Sequence, residues 1–578
     1  MAADDDRVVG LIVHAVPSGT ALAHLEEIGG LVEEFGTRKK TMAWAESFGE
    51  LVQGLSSYHL ATAAQEIWLQ PTGLMSIEGV ELSMTLYKGL LAKVGVVPQF
   101  GQRHEYKTAA NTYAADEITG PQREMTTRLG QSIVDSLVGD IARRRGLTTE
   151  QVWEAVNASP VTPEHALELG LIDHIGYRDQ AYGSALERWG VEAGSLLFAH
   201  RYTNKAELVK RLRARQPKVA VVQVRGGITT GRGNRSIGGG ASVGSDVVDE
   251  HLRAALRDDD VKAVVLAVDS PGGSAVASDF IRRSVLRLRE AGKPVVAHME
   301  TVAASGGYYV AMPADEIVAH ATTLTGSIGV LAGKMVTEGL YDRLGLLRET
   351  VEIGAAAGTF SSAHEFSDSD WERLNVFLDR VYRDFTTFAA QDRGMDLDDL
   401  EKLARGRVWT GADALERGLV DHIGGQHLAV ERACALAGLQ RDRTRLTHIG
   451  DPGFVAMLRP ANSSEQAVGG ANLPTPESML AGIAAGLGIN APGPSRCPGR
   501  CASGEAHDWD DDPCVPYHGY VLGRWGNEES AVKRTGKIVL GWSEVPSCSS
   551  VGHTSPPISW LAASCPRRRK WLGWPSAG

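Results

Sequence analysis

Runs of β-branched and small apolar residues alternate along this chain with amphipathic stretches. KAVVLAV (262–268) and KPVVAHM (293–299) are short, mostly apolar and rich in valine, while SDFIRRSVLRLREAG (278–292) between them returns an apolar residue every three or four positions. Apolar runs of that length predict buried strands, and the helical period between them predicts a helix laid across the strands. Repetition of this order predicts βαβ units, and hence an α/β fold with mostly parallel sheets.

The pattern occurs twice. ADDDRVVGLIVHAVPSG (3–19) parallels RDDDVKAVVLAVDSPGG (257–273), LSSYHLATAAQEIWLQPTG (55–73) parallels ASGGYYVAMPADEIVAHAT (304–322), and ALELGLIDHIGY (166–177) parallels ALERGLVDHIGG (414–425). Order and spacing persist over about 170 residues, which predicts a duplicated domain. The first copy covers 1–200, a linker helix 201–217, the second copy 218–445, an extension 446–490 and a tail 491–578. The basic run of the linker, RYTNKAELVKRLRARQ, reads as a solvated helix face, with peripheral contact to a membrane surface as the alternative. KVAVVQV (218–224) opens the second copy, and the glycine-rich stretch 226–244 after it carries neither phosphate-cradling glycine motif, so it reads as a mobile loop.

The two ends depart from the pattern. The first copy begins at its DDDR with no counterpart to the strand and helix of 218–256, and so is expected to lack its opening elements. The last 88 residues hold 10 of 24 prolines, 5 of 6 cysteines and 6 of 12 tryptophans without a helical or strand period, which reads as disordered or aberrant sequence. Cys497, Cys501, His507 and Cys514 match no common zinc spacing, and no second half-site supports them.

Charge and composition narrow the function. With 59 basic against 70 acidic residues the formal charge is −11, which leaves no basic reserve for a phosphate backbone and argues against nucleic acid as a partner. No stretch approaches the length of a membrane helix, and MAADDDRVVG lacks the form of a secretory signal. Cys434 alone falls outside the tail, so nothing requires an oxidising compartment.

In a duplicated domain, features shared by both copies belong mostly to the fold, and features present once are candidates for chemistry. His174 and His422 recur in DHIG and read as structural; Ser76-Ile77 and Ser327-Ile328 also recur. Ser305 in VAASGGYYVAM does not recur, for the other copy has Leu55 there. A serine between small residues at a helix start suits a nucleophile, and equally an N-cap. SPGGS (270–274) follows a strand, where consecutive glycines let a backbone N–H point into a cleft as an oxyanion donor, or simply make a tight turn. Lys107 in HEYKTAANTY has no counterpart, since residues 335–401 contain no lysine. A buried lysine can lose its proton and serve a serine as general base. One copy keeps the serine and the other the lysine, which a single composite site explains.

SPGGS, then ASGGYY, then TGSIGV (325–330) in the second half, with EYK in the first, resemble the long, tandem-domain form of the bacterial signal peptide peptidase A family, serine proteases of the ClpP/crotonase-like superfamily. The resemblance runs from about residue 3 to about 440. It implies Ser305 as nucleophile, Lys107 as general base, Ser327 as a lysine-orienting hydroxyl, and Gly272 as an oxyanion donor, with the backbone around Ser305 and Gly306 shaping the adjacent pocket and Gly273 joining Gly272 and Gly306 in the oxyanion and substrate-binding set. It implies cleavage of remnant signal peptides without metal or organic cofactor, with Ala303, Ala304, Tyr308 and Tyr309 contributing to apolar pockets. It also implies a homo-oligomer, tetrameric in the long form, and membrane association; without an anchor, the cytoplasm is the alternative. A crotonase-type acyl-CoA enzyme would explain SPGGS but not the complementary serine and lysine, and a peptide-binding scaffold without catalysis is a third reading. A histidine triad is disfavoured, because His298 and His320 read as alternating strand residues.

Overall fold

The computed structural model describes residues 2–450, apart from residues 18, 50–52, 193–194, 200–201, 203–215, 234–241 and 355, together with 538–543. The first half contributes β1 (Val8–His14), β2 (Lys40–Ala45), β3 (Ile67–Leu69), β4 (Val97–Gln102), β5 (His174–Ile175) and β6 (Leu196–Phe198). The second contributes β7 (Lys218–Arg225), the short pair β8 (Gly227–Thr229) and β9 (Ser242–Gly244), β10 (Val261–Ser270), β11 (Val295–Ala304), β12 (Glu316–Ala319), β13 (Leu324–Gly326), β14 (Leu331–Val336), β15 (Val408–Thr410), β16 (His422–Ile423) and β17 (Arg445–Ile449). A last strand, β18 (Ile538–Ser543), comes from the tail.

The valine-rich runs form the centre of the second sheet because both of its faces are covered. On one face Val264, Leu266 and Val268 of β10 pack with Ile281, Val285 and Leu288 of the helix Ala275–Glu290. On the other, Ala263, Val265 and Ala267 pack with Ala429, Val430 and Ala433 of the helix Gln426–Leu436. Strand order is β16-β12-β11-β10-β7-β17, all parallel, with β13 paired to the far end of β11 and β15 antiparallel beyond it. The first sheet runs β5-β3-β2-β1-β18-β6, also parallel.

Duplication extends to the buried polar contacts. Asp173 accepts from the Ile67 N–H at 2.8 Å and Asp421 from the Ile317 N–H at 2.7 Å, each carboxylate also paired with an arginine, Arg145 at 2.8 Å and Arg393 at 2.6 Å. Tyr58 and Tyr308 donate to the carbonyls of Leu171 and Leu419. The repeated DHIG is therefore kept by its aspartate, and His174 and His422 sit beside it against Glu66 and Glu316.

The tail requires a correction. Its composition predicts no element, yet Ile538–Ser543 lies between β1 and β6, with Leu540 opposite Leu11 on one side and Leu197 on the other. β18 holds the place in the first sheet that β7 holds in the second, so the opening strand expected to be missing is supplied from the far end of the chain. The reason is the hydrogen-bonding need of two facing strand edges, which a short apolar run satisfies whatever its flanks look like. The linker helix over 203–215, residues 234–241 of the glycine-rich loop, the extension from 451 and the four zinc candidates lie outside the described residues.

Val539 and Leu540 are buried, and Leu540 joins the main core of the first half. Leu540→Ala should cost about 2–5 kcal/mol, read as a lower melting temperature; an unchanged melting curve would place β18 outside the sheet.

Candidate active site

β11 ends at Ala304 and a short helix begins at Gly306, so the turn between them is the single residue Ser305, at φ 55° and ψ −117°. A non-glycine residue in that region is sterically costly and persists only where its surroundings over-determine it. Here the Ser305 N–H donates to the Gly326 carbonyl and the Ser305 carbonyl accepts from the Tyr309 N–H, both at 2.9 Å. The SPGGS turn presses against the same point: a Cβ on Gly272, itself at φ 105°, would lie 2.6 Å from the Gly306 nitrogen and 2.9 Å from Ser305 Cβ.

Lys107 arrives from the other half. β4 pairs antiparallel with β14, from Gln102 opposite Leu331 to Val97 opposite Val336, so main-chain hydrogen bonds join the halves just before Lys107 and just after Ser327. Lys107 Nζ lies 3.1 Å from Ser305 Oγ and donates to Ser327 Oγ at 2.9 Å and to the Ser327 carbonyl at 2.8 Å. The lysine is only 6% exposed. Burial pushes its pKa down to about 7. Once neutral, the amine has a lone pair to receive the Ser305 hydroxyl proton. The second half closes over its stem: Gly406, at φ 81°, has room for no side chain because a Cβ there would stand 2.5 Å from Lys107 Cβ. Arg405 pairs with Glu105 at 3.0 Å alongside.

The structure thus brings Ser305, Lys107, Ser327, Gly272, Gly273 and Gly306 together. Gly272 N–H donates to Ser270 Oγ at 3.1 Å, whereas the N–H groups of Gly273 and Gly306 have no acceptor among the described residues. Sequence reasoning missed the Ser270 contact and the enclosure by Gly406 and by Gly329, where a Cβ would stand 3.2 Å from Lys107 Cδ; Ser270 was visible within SPGGS, but its hydroxyl direction was not. Two residues given to the substrate pockets belong to the core instead. Tyr308 is fully buried, and Tyr309 packs on Phe385 with ring centroids 4.6 Å apart and donates to Asp279. They turn inward because the helix they share lies over β10 and β11. Ser305 Oγ is bonded to Lys107 and to no imidazole among the described residues.

Residues 32–192 and 287–440 match the model of Peptidase family S49, the first segment containing Lys107 and the second Ser305. The chain belongs to peptidase family S49. It is 32% identical over 440 residues to the chloroplastic serine protease SPPA of Arabidopsis thaliana, covering 75% of this chain and 64% of that protein. To Protease 4 of Haemophilus influenzae it is 29% identical over 458 residues, 76% of this chain and 72% of that one. A solved mutant of the 1510-N membrane-bound stomatin-specific protease aligns over 41% of this chain and 99% of its own, at 16% identity and a TM-score of 0.27. The resemblance carried by SPGGS, ASGGYY, TGSIGV and EYK agrees with S49 membership.

The depressed lysine pKa has a consequence for stability. Between about 7 and the ordinary 10.5 the unfolded chain holds this proton and the folded chain does not, so the cost of burying Lys107 is greatest below pH 7 and fades as pH rises towards 10.5. Lys107→Met should therefore raise the melting temperature most at acidic pH and least at alkaline pH. A difference constant with pH would show that the buried amine titrates normally.

Proposed function

We propose that this S49 chain is a serine endopeptidase whose dyad is divided between its halves, Ser305 acting as nucleophile and Lys107 as general base. The observation that carries the reading is the 3.1 Å approach of the Lys107 amine to the Ser305 hydroxyl at a buried point, with no imidazole of the described residues on that hydroxyl. Neutral Lys107 takes the Ser305 proton as Oγ attacks a peptide carbonyl, and the resulting ammonium gives that proton to the leaving amine. Water, activated by the same amine, then releases the acyl group from Ser305. Ser327 holds Nζ through its hydroxyl and carbonyl, which leaves the amine aimed at Ser305.

For the oxyanion we assign the N–H groups of Gly273 and Gly306, which are unspent, rather than that of Gly272, which Ser270 engages. The absence of a side chain at Gly306 suits this, since a Cβ there would stand 3.1 Å from the Gly273 nitrogen and block the space between the donors.

The substrates we propose are remnant signal peptides and similar apolar peptides, in keeping with the family resemblance. Among the described residues no helix is long and apolar enough to cross a membrane. Association with a membrane surface, and assembly into a homo-oligomer such as a tetramer, follow from the same resemblance. The exposed apolar residues Leu347, Val351 and Ile353 are surface that such an assembly would cover.

Fluorophosphonate labelling tests the dyad. The intact chain should label at Ser305, with a rate that rises as pH passes through about 7 and Lys107 loses its proton. Ser305→Ala should abolish labelling, and Lys107→Ala should reduce it by about 10²–10⁴-fold, the usual worth of a general base. Failure of the intact chain to label would favour a peptide-binding scaffold, and full labelling of Lys107→Ala would remove the lysine from the mechanism. Degradation of an apolar signal-peptide sequence in preference to a polar peptide of the same length would support the substrate class; the reverse preference would overturn it.

A further inference from the structure

Away from the dyad, the helix Leu22–Gly36 of the first half rests against the second-half sheet, and Glu27 on it reaches towards β11 and the residue that follows β12. There a carboxylate oxygen of Glu27 and one ring nitrogen each of His298 and His320 all lie within 4.8 Å of one another. His298 is 3% exposed, and both of its ring nitrogens are buried without a hydrogen-bond partner among the described residues. An imidazole placed so deep ordinarily has at least one nitrogen bonded, so this ring is short of a partner that the described residues do not provide. His320, equally buried, sets one nitrogen 3.4 Å from Glu27 and the other 3.7 Å from Glu26. One nitrogen facing the cluster and the other facing a second carboxylate is the disposition that orients metal-binding imidazoles.

From this geometry we infer that Glu27, His298 and His320 form a binding site for a divalent transition ion of the zinc type, joining the two halves. Two imidazoles and one carboxylate make a borderline donor set that suits zinc and its neighbours, whereas calcium and magnesium call for oxygen ligands throughout. Zinc–ligand bonds of about 2.0–2.2 Å put the donors of a tetrahedral site roughly 3.4 Å apart, which is the present separation of His320 Nε2 and Glu27 Oε2. Glu27 also accepts from the Gln426 N–H at 2.6 Å, which fixes its carboxylate. Glu27 and His320 line a cavity of about 700 Å³, which provides the route of entry and leaves the fourth position to water.

The ion has no part in the acyl transfer. His298 lies on β11 seven residues before Ser305, in the part of the strand paired with Ala267 and Val318, away from the turn that carries the Ser305 hydroxyl. Its effect is mechanical: it ties a first-half helix to the strand that ends at Ser305, and so holds the register of the two halves across which Lys107 must reach.

The test uses the full chain, stripped with a chelator, dialysed and titrated with cobalt(II) and zinc(II). Expected results are one ion per chain by elemental analysis, tetrahedral cobalt absorption without a sulfur charge-transfer band, and a melting temperature raised by zinc. His298→Phe, which keeps the ring volume, and Glu27→Gln should each weaken zinc binding by at least about 100-fold, while Ser305→Ala should bind as the unaltered chain does. The inference is overturned if the unaltered chain takes up no stoichiometric ion, if either site variant binds zinc with unchanged affinity, or if a thiolate band assigns the ion to cysteines of 491–578. Glu27→Gln alters a residue at the mouth of the cavity, and its fold is checked by circular dichroism independently of His298→Phe.

Discussion

The amine of Lys107 is buried against a hydroxyl that belongs to the other half of the molecule, and the pair exists only while the halves hold their mutual position to within hydrogen-bond length. Taking an ammonium from water without a compensating carboxylate is unfavourable, so the energy that keeps it in place has to come from elsewhere. It comes from the contacts between the halves: the β4–β14 ladder, the buried Ser132–Thr410 hydroxyl pair at 2.6 Å and the Arg128–Asp413 ion pair, whose carboxylate is almost fully enclosed. These contacts are structural in what they touch and chemical in what they permit, because a lysine left in water would keep its proton.

The second constraint is backbone strain at one position. In both halves a short helix follows a central strand, yet the residue at the start of that helix is used differently. In the first half the helix Leu55–Ala61 includes Leu55, which is buried in the core, and its preceding Gly54 has an ordinary negative φ. In the second half the equivalent position is Ser305 at positive φ, braced by Gly326 and by the glycines of SPGGS. One scaffold thus carries a buried leucine at the start of one helix and a serine at positive φ before the other, and the difference lies in whether a hydroxyl is lifted out of the core.

Much of this was legible along the chain because it is periodic or paired. The valine-rich runs and the helix between them declare strands and a helix by their spacing, and the repeats in DDD, the tyrosine segment and DHIG declare the duplication. Ser305 and Lys107 stood out because each is missing from the other copy. Other features left no trace of that kind. β18 is six residues inside a stretch of atypical composition, and what makes it a strand is the pair of edges offered by β1 and β6. Tyr308 and Tyr309 looked like pocket residues beside Ser305, but their helix turns them onto the core.

Local pattern therefore decided the class of fold and its duplication and singled out Ser305 and Lys107, since hydrophobic period and residue type are properties of short segments. Packing decided the rest. That Lys107 is dry enough to lose a proton, that Gly272 gives its N–H to Ser270 while Gly273 and Gly306 keep theirs, and that Glu27 meets His298 and His320 all depend on segments far apart in the chain. Desolvation and hydrogen-bond direction are set by everything that surrounds a group, and those surroundings come into being only when the two halves close on each other.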